Sequence, residues 1–247
     1  MATEFGSGGH SGRFPPTRHS AFDALGSDDP EMRARSLEIL AMAYWRPVYK
    51  HVRVKWQRSS EDARELTQDF FVRVFEKRVF DAYDPQKGRF RTFLRTCLDR
   101  FLSNETKARR RLKRGGGKLV VAFDFDAAES ELAGVHDVSA ESAEAAFERE
   151  WVAALFRLAV DALRSECERR GKLVYYAVFE RYVLADGDAA KPSYAEVAKE
   201  LGLSVTDVTN YLSFARREFR RLVVEHLRAI TASDEEFQSE LSAIGGA

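Results

Sequence analysis

Thr206, Thr209, Asn210 and Ser213 recur along one side of the segment "SVTDVTNYLSFARREFRRLV", and Arg216, Arg217, Arg220 and Arg221 follow them. Short hydroxyls and amides reach base edges, and guanidinium groups further along a helix hold phosphates. A second set lies upstream, where "DPQKGRFRTFLRTCLDRFLSNETKARRRLKR" interleaves Phe90, Phe93 and Phe101 with Arg89, Arg91, Arg95 and Arg100. Aromatic rings among cations stack unpaired bases while the cations hold the backbone, which suits single-stranded DNA. Phe90, Leu94, Cys97 and Phe101 also fall at helical core spacing, so packing competes with stacking for the same rings. This is the chemistry of binding rather than of bond breaking. The chain has no metal-ligand pair, and Gly115, Gly116 and Gly117 lack the Lys-Ser/Thr that completes a phosphate loop.

The elements that must carry these groups are helical. Gly202 reads as the turn of a helix-turn-helix, a position that needs a left-handed backbone. Ala198 before it lets two helices cross closely, and Val197, Leu201, Leu203, Val208 and Tyr211 supply the apolar crossing. Ser193 with Glu196, and Ser204 with Asp207, each make a capping box, so both helix starts are written locally. Upstream, apolar residues between Pro30 and Trp56 keep helical spacing, with Pro47 expected to end one helix and open the next. Ser59 to Phe80 reads as a helix capped by Ser60, with Leu66, Phe70, Phe71, Val74 and Phe75 inward. Pro85 and Gly88 break the pattern, and a basic helix then runs towards the triple glycine. A short strand is open at "KLVVAFDF", helices resume near Ser142, and a small helix capped by Ser233 spans Asp234 to Ile244.

Bulk properties bound the class. The 247 residues are 45% hydrophobic, enough for a core in each of two domains. Lys and Arg total 39 against 39 acids, but the charge is segregated. Gly88 to Lys118 holds eleven basic residues against Asp99 and Glu105, whereas Leu119 to Glu150 holds nine acids against Arg149 alone. Two surfaces of opposite sign are thereby expected. Cys97 and Cys167 stand singly in helical patterns and read as small apolar residues rather than a disulfide or zinc framework. No long uncharged apolar run and no export-type leader is read, so a cytoplasmic location without a membrane is expected. The fold class is all-α: two helical domains joined by an acidic linker. The boundaries are 1–19 for a flexible N-terminus, 20–114 and 142–228 for the domains, 115–141 for the linker, and 229–247 for a tail with a short helix.

The order of these segments resembles a sigma factor of bacterial RNA polymerase, of the two-domain extracytoplasmic-function (ECF) type. "EDARELTQDFFVRVFEK" is similar to region 2.2, "YDPQKGRFRTFLRTCLDRFLSNETKARRR" to regions 2.3 and 2.4, and "PSYAEVAKELGLSVTDVTNYLSFARREFRRL" to region 4.2. The resemblance covers about Phe14 to Arg228, and "FPPTRHS", "GRFRTFL" and "KRGGG" suggest a subgroup with extended segments. It implies a subunit that binds core polymerase and directs promoter recognition, DNA melting and initiation, with no enzymatic activity and no cofactor of its own. Asp62, Glu65, Gln68, Asp69 and Arg73 would dock on the β′ clamp helices, and the C-terminal domain on the β flap. Tyr83, Lys87, Arg89, Phe90, Arg91, Phe93, Arg95 and Arg100 would hold the melted minus-ten strand. Ser204, Thr206, Thr209, Asn210, Ser213, Arg216, Arg217 and Arg220 would read the minus-thirty-five duplex. An anti-sigma factor and a serine/threonine kinase are the candidate regulators, and the acidic linker would thread basic channels of the polymerase.

The chain departs from the family where Phe93 replaces a usual Trp, where Arg100 occupies a common Asn position, and where Thr209, Tyr211, Ser213 and Phe214 replace basic residues. Promoter sequence therefore does not transfer from other members. Two rivals are a free-standing helix-turn-helix regulator acting without polymerase, and a serine recombinase, which would need an α/β catalytic domain.

Overall fold

The computed structural model describes residues 20–108, 122–133, 142–184 and 191–245. Among these there are ten α-helices and no strand, and no helix is long and apolar enough to cross a membrane. The N-terminal segment to residue 19, the triple glycine and the first half of "KLVVAFDF" (118–121) lie outside the described residues, and its second half, 122–125, forms no strand. The chain divides into two compact units. The larger takes residues 18–156 and 226–247; the smaller takes 157–225 among the described residues. The division thus falls inside two helices rather than at residue 142, and it assigns the C-terminal segment to the larger unit.

The larger unit is built on α1 (Ala21–Leu25), α2 (Pro30–Val54), α3 (Ser60–Glu76) and α4 (Phe90–Ala108). Asp29 caps α2, with Pro30 at its first position, where the absent N–H costs nothing. Pro47 does not divide α2, contrary to the sequence expectation: the helix is continuous over 25 residues. A proline inside a helix costs about 3 kcal/mol, yet Ala43, Tyr44, Trp45, Val48, Tyr49 and Val52 around it are all buried. Packing on both sides of the proline outweighs the lost hydrogen bond. The cap of α3 is Ser59 rather than Ser60, its side chain accepting from the Asp62 N–H at 3.1 Å. Ser60 is the first helical residue, and its hydroxyl meets Tyr49 Oη at 3.2 Å.

Two short 3₁₀ turns, Val79–Ala82 and Pro85–Lys87, join α3 to α4. Gly88, with φ 134°, allows the chain to turn into α4. Inside the acidic stretch read as a linker, α5 (Phe125–Ala133) folds against α2. Phe125 and Ala128 are buried, and Trp45 stacks on Phe123 at 5.1 Å. Its acids are paired: Arg46 and Lys50 meet Glu131, and Arg53 meets Glu129. Two aromatics one turn from an alanine anchor this helix although the surrounding sequence has little periodicity. The first half of α6 (Ala143–Arg169) adds Phe147 and Trp151 to the core, and α10 (Asp234–Gly245), capped by Ser233, adds Phe237.

A polar cluster inside this unit makes its stability depend on pH. His51 is buried and shares a 2.9 Å hydrogen bond with Asp99, which also accepts from Trp56 Nε1 at 3.0 Å and pairs with Lys55 at 2.7 Å. Burial pushes the His51 imidazole below its ordinary value, against the opposing pull of Asp99. The folded state therefore holds His51 neutral while the unfolded chain takes up a proton near pH 6.5. That contribution is fully present above about pH 6.5 and is lost as pH falls towards the lowered folded value. Burial alone would raise Asp99, but hydrogen bonds from Lys55, His51 and Trp56 leave it below the ordinary carboxylate value. Its contribution is lost only at still lower pH. Denaturant unfolding followed by tryptophan fluorescence should show stability declining as pH falls below about 6.5. His51→Gln, whose amide replaces the Nε2 donor, should flatten that slope.

The smaller unit contains the rest of α6, α7 (Leu173–Phe179) with a π-type turn at Glu180–Leu184, α8 (Tyr194–Leu201) and the part of α9 (Val205–Ala229) up to Glu225. Leu163, Phe179, Val197, Val208, Leu212 and Ala215 form its core.

Candidate polymerase and nucleic-acid interfaces

On α3 the sequence pattern separates two faces. Leu66, Phe70, Phe71 and Val74 are buried, whereas Glu65, Gln68 and Arg73 are exposed and Asp62 and Asp69 half-exposed. The five polar residues expected to dock on a partner thus share the outer side of one helix. Arg73 pairs with Glu105 of α4 at 3.0 Å and lies over the Phe101 ring at 5.6 Å, so the outer surfaces of α3 and α4 are tied together.

The eight residues expected on a melted strand do not all meet solvent. Lys87 and Arg100 are exposed, Lys87 near Asp84 at 3.1 Å. Phe93 is half-exposed and packs on Tyr83, their centroids 5.4 Å apart. Arg95 pairs with Glu144 of α6. Phe90 is 0% exposed and corrects the expectation of a stacking ring. Its face is filled by Phe22, Tyr44, Phe80 and Tyr83 at 4.7 to 5.2 Å, leaving no side for a base. Arg91 is likewise buried at 5% exposure, lying over the Trp151 ring at 4.7 Å and paired with Glu240 and Glu148. Arg89 donates to Ser239 Oγ at 2.8 Å.

Helix α10 supplies part of this occupation, through Glu236, Ser239 and Glu240. Glu236 Oε1 accepts from the Phe90 N–H at 2.7 Å and from Tyr83 Oη at 3.0 Å. Burial, and then the Glu236 charge, hold the Tyr83 phenol far above its ordinary value. Burial also raises the Glu240 carboxyl, although Arg91 and Arg89 pull it down. Sequence reading missed Glu236 and Glu240. Their signal is two acids spaced i, i+4 on one side of a short helix, but nothing local says which cations they meet.

In the smaller unit both capping boxes form as written. Ser193 Oγ accepts from the Glu196 N–H at 3.2 Å and Glu196 returns to the Ser193 N–H at 2.7 Å. Ser204 Oγ accepts from the Asp207 N–H at 3.1 Å. Gly202 sits between them at φ 66°, the left-handed conformation expected of the turn. Val197, Ala198, Val208 and Leu212 are buried at the crossing. Ser204, Thr206, Thr209, Asn210, Ser213, Arg217 and Arg220 are exposed along α9, and Arg216 is half-exposed over the Tyr182 ring at 5.3 Å. Thr209 Oγ1 donates to the Val205 carbonyl at 3.0 Å, which leaves its oxygen lone pairs outward. Tyr211 and Phe214 are not free polar-face residues: Tyr175 stacks on Tyr211 at 4.0 Å and meets Phe214 edge-on at 5.1 Å. Lys172 caps that group 4.5 Å from the Phe214 centroid, a partner that periodicity within α9 alone does not reveal.

Residues 40–112 match the sigma-70 region 2 family model, a span that runs from the middle of α2 through α3 and all of α4. This match supports a likeness to the sigma-70 family over those residues, less than half of the chain. Comparison with curated proteins and with solved structures finds no match.

Proposed function

We propose that this chain is a dissociable subunit of bacterial RNA polymerase, a sigma factor of the two-domain extracytoplasmic-function type with extended segments. One observation carries the proposal: the sigma-70 region 2 match falls on helices whose apolar sides are buried and whose polar sides face outward. On this reading α3 docks on the β′ clamp helices through Asp62, Glu65, Gln68, Asp69 and Arg73. The start of α4 and the turn before it hold the melted minus-ten strand, with Phe93, Lys87, Arg89, Arg95 and Arg100 as its contacts and Phe90 supporting them from within. The α8–α9 pair reads the minus-thirty-five duplex as a helix-turn-helix, the smaller unit meets the β flap, and the protein works in the cytoplasm without catalytic activity. An anti-sigma factor and a serine/threonine kinase stay as candidate regulators.

The test is association with core polymerase. The full chain should co-elute with core enzyme, and the double change Gln68→Ala with Asp69→Ala should weaken that association by about 2 kcal/mol, the size of an interface hot spot, with helicity unchanged. A titration in which the double variant binds core as tightly as the parent removes α3 from the interface. A chain that binds duplex DNA but never core polymerase is the free-standing regulator instead.

A further inference from the structure

We infer that α10 is an internal occupant of the strand-binding face, which single-stranded DNA must displace before the minus-ten region can be held. This rests on the sigma-factor reading and adds a regulatory step to it. The occupied groups are those a nucleic-acid backbone would seek. The Phe90 N–H belongs to the first residue of α4, where unpaired donors and the helix dipole favour an anion. Glu236 places its carboxylate there at 2.7 Å. Arg91 and Arg89 face Glu240, the first in a pair buried on both sides and the second at 3.6 Å, and Arg89 also reaches Ser239. Carboxylates spaced one helical turn apart thus stand where phosphates would, and Tyr83 and Glu148 complete the ring of groups around them.

The seating is mostly polar. Phe237 is the one large apolar side chain of α10 that is buried, covered by Arg228 at 4.1 Å, while Leu241 and Ile244 stay half-exposed. Replacing hydrocarbon contact by ion pairs gives an attachment whose Coulomb gain is largely offset by desolvation. A phosphate chain offers Arg89 and Arg91 an equivalent partner, so exchange of one anion for another is close to balanced.

If α10 is seated in about nine molecules of ten, releasing it raises the apparent affinity for the strand about tenfold. The experiment uses the full chain assembled with core polymerase and a pool of randomised, fluorescent single-stranded DNA. Glu236→Gln combined with Glu240→Gln should leave core association unchanged and tighten DNA binding about tenfold. Equal or weaker binding by a folded variant overturns the displacement. Should the variant not fold, hydrogen exchange on the wild-type holoenzyme decides: amides of 234–245 should exchange faster when the DNA is added, and unchanged or slower exchange refutes the inference. Failure of the wild type to bind core polymerase counts against the sigma-factor reading alone, because exchange on the free chain with the same DNA still reports whether α10 lifts.

Discussion

Phe90→Ala should lower the stability of the larger unit by about 3–5 kcal/mol, the cost of truncating a fully enclosed phenylalanine. The ring is 0% exposed, and five aromatic neighbours surround it, Phe93 the most distant at 6.0 Å. Removing it leaves a cavity whose walls belong to α1, α2 and the turn before α4, and a close-packed surround relaxes into such a gap only in part. Phe93→Ala is the control. That ring is half-exposed, and its main partner is Tyr83 at 5.4 Å, so its loss should cost about 1 kcal/mol. The readout is favourable, because Trp45, Trp56 and Trp151 all lie in the larger unit and their fluorescence reports its unfolding alone. In strand binding the order should reverse: Phe93→Ala removes a stacking surface worth roughly 1–3 kcal/mol per base, while any loss from Phe90→Ala should follow its unfolding. A Phe90→Ala variant of unchanged midpoint that no longer binds single-stranded DNA would contradict the packing role.

The second large effect divides α9 into two behaviours. Thr206, Thr209, Asn210 and Ser213 lie on the exposed side of its first turns, where short side chains reach base edges, and an amide pairs bidentately with adenine. Arg217, with 71% of its side chain exposed, lies further along, 3.8 Å from Glu218 and over the Phe214 ring at 5.5 Å. Asn210→Ala should alter which minus-thirty-five sequence is preferred and cost roughly 1–3 kcal/mol on the best site. Arg217→Ala should weaken all sites alike and reduce the slope of log affinity against log salt by about 0.9, one phosphate's share. Binding of the full chain with core enzyme to randomised duplexes across a salt series separates the two. An unchanged preference in Asn210→Ala, together with a changed one in Arg217→Ala, would mean that α9 enters the groove the other way round.

What could be read from sequence was what is decided locally. The capping boxes at Ser193 and Ser204 and the left-handed Gly202 involve neighbours three or four residues apart, and all three form. The buried side of α3 follows from helical period alone. Long-range packing overrode local signals elsewhere. Pro47 would stop an isolated helix, but the buried residues flanking it hold α2 intact. Helix α5 is fixed by Trp45, Tyr49 and Arg53 on α2, far from it in the chain. Helical spacing placed Phe90 both on a core face and among arginines without choosing between them. The choice is made by rings on three other segments and by Glu236, a partner 146 residues away. The same distance hid the occupation of Arg91 by Glu240, since neither residue's neighbours announce the other.

The most direct measurement is runoff transcription with core RNA polymerase on a genomic fragment library, with the added chain as the only variable and the starts sequenced. A sigma factor should produce starts absent from core enzyme alone, each preceded by a shared pair of elements at fixed spacing, and the Gln68→Ala, Asp69→Ala variant should produce far fewer. Starts identical with and without the chain, while it still binds duplex DNA, would contradict the assignment.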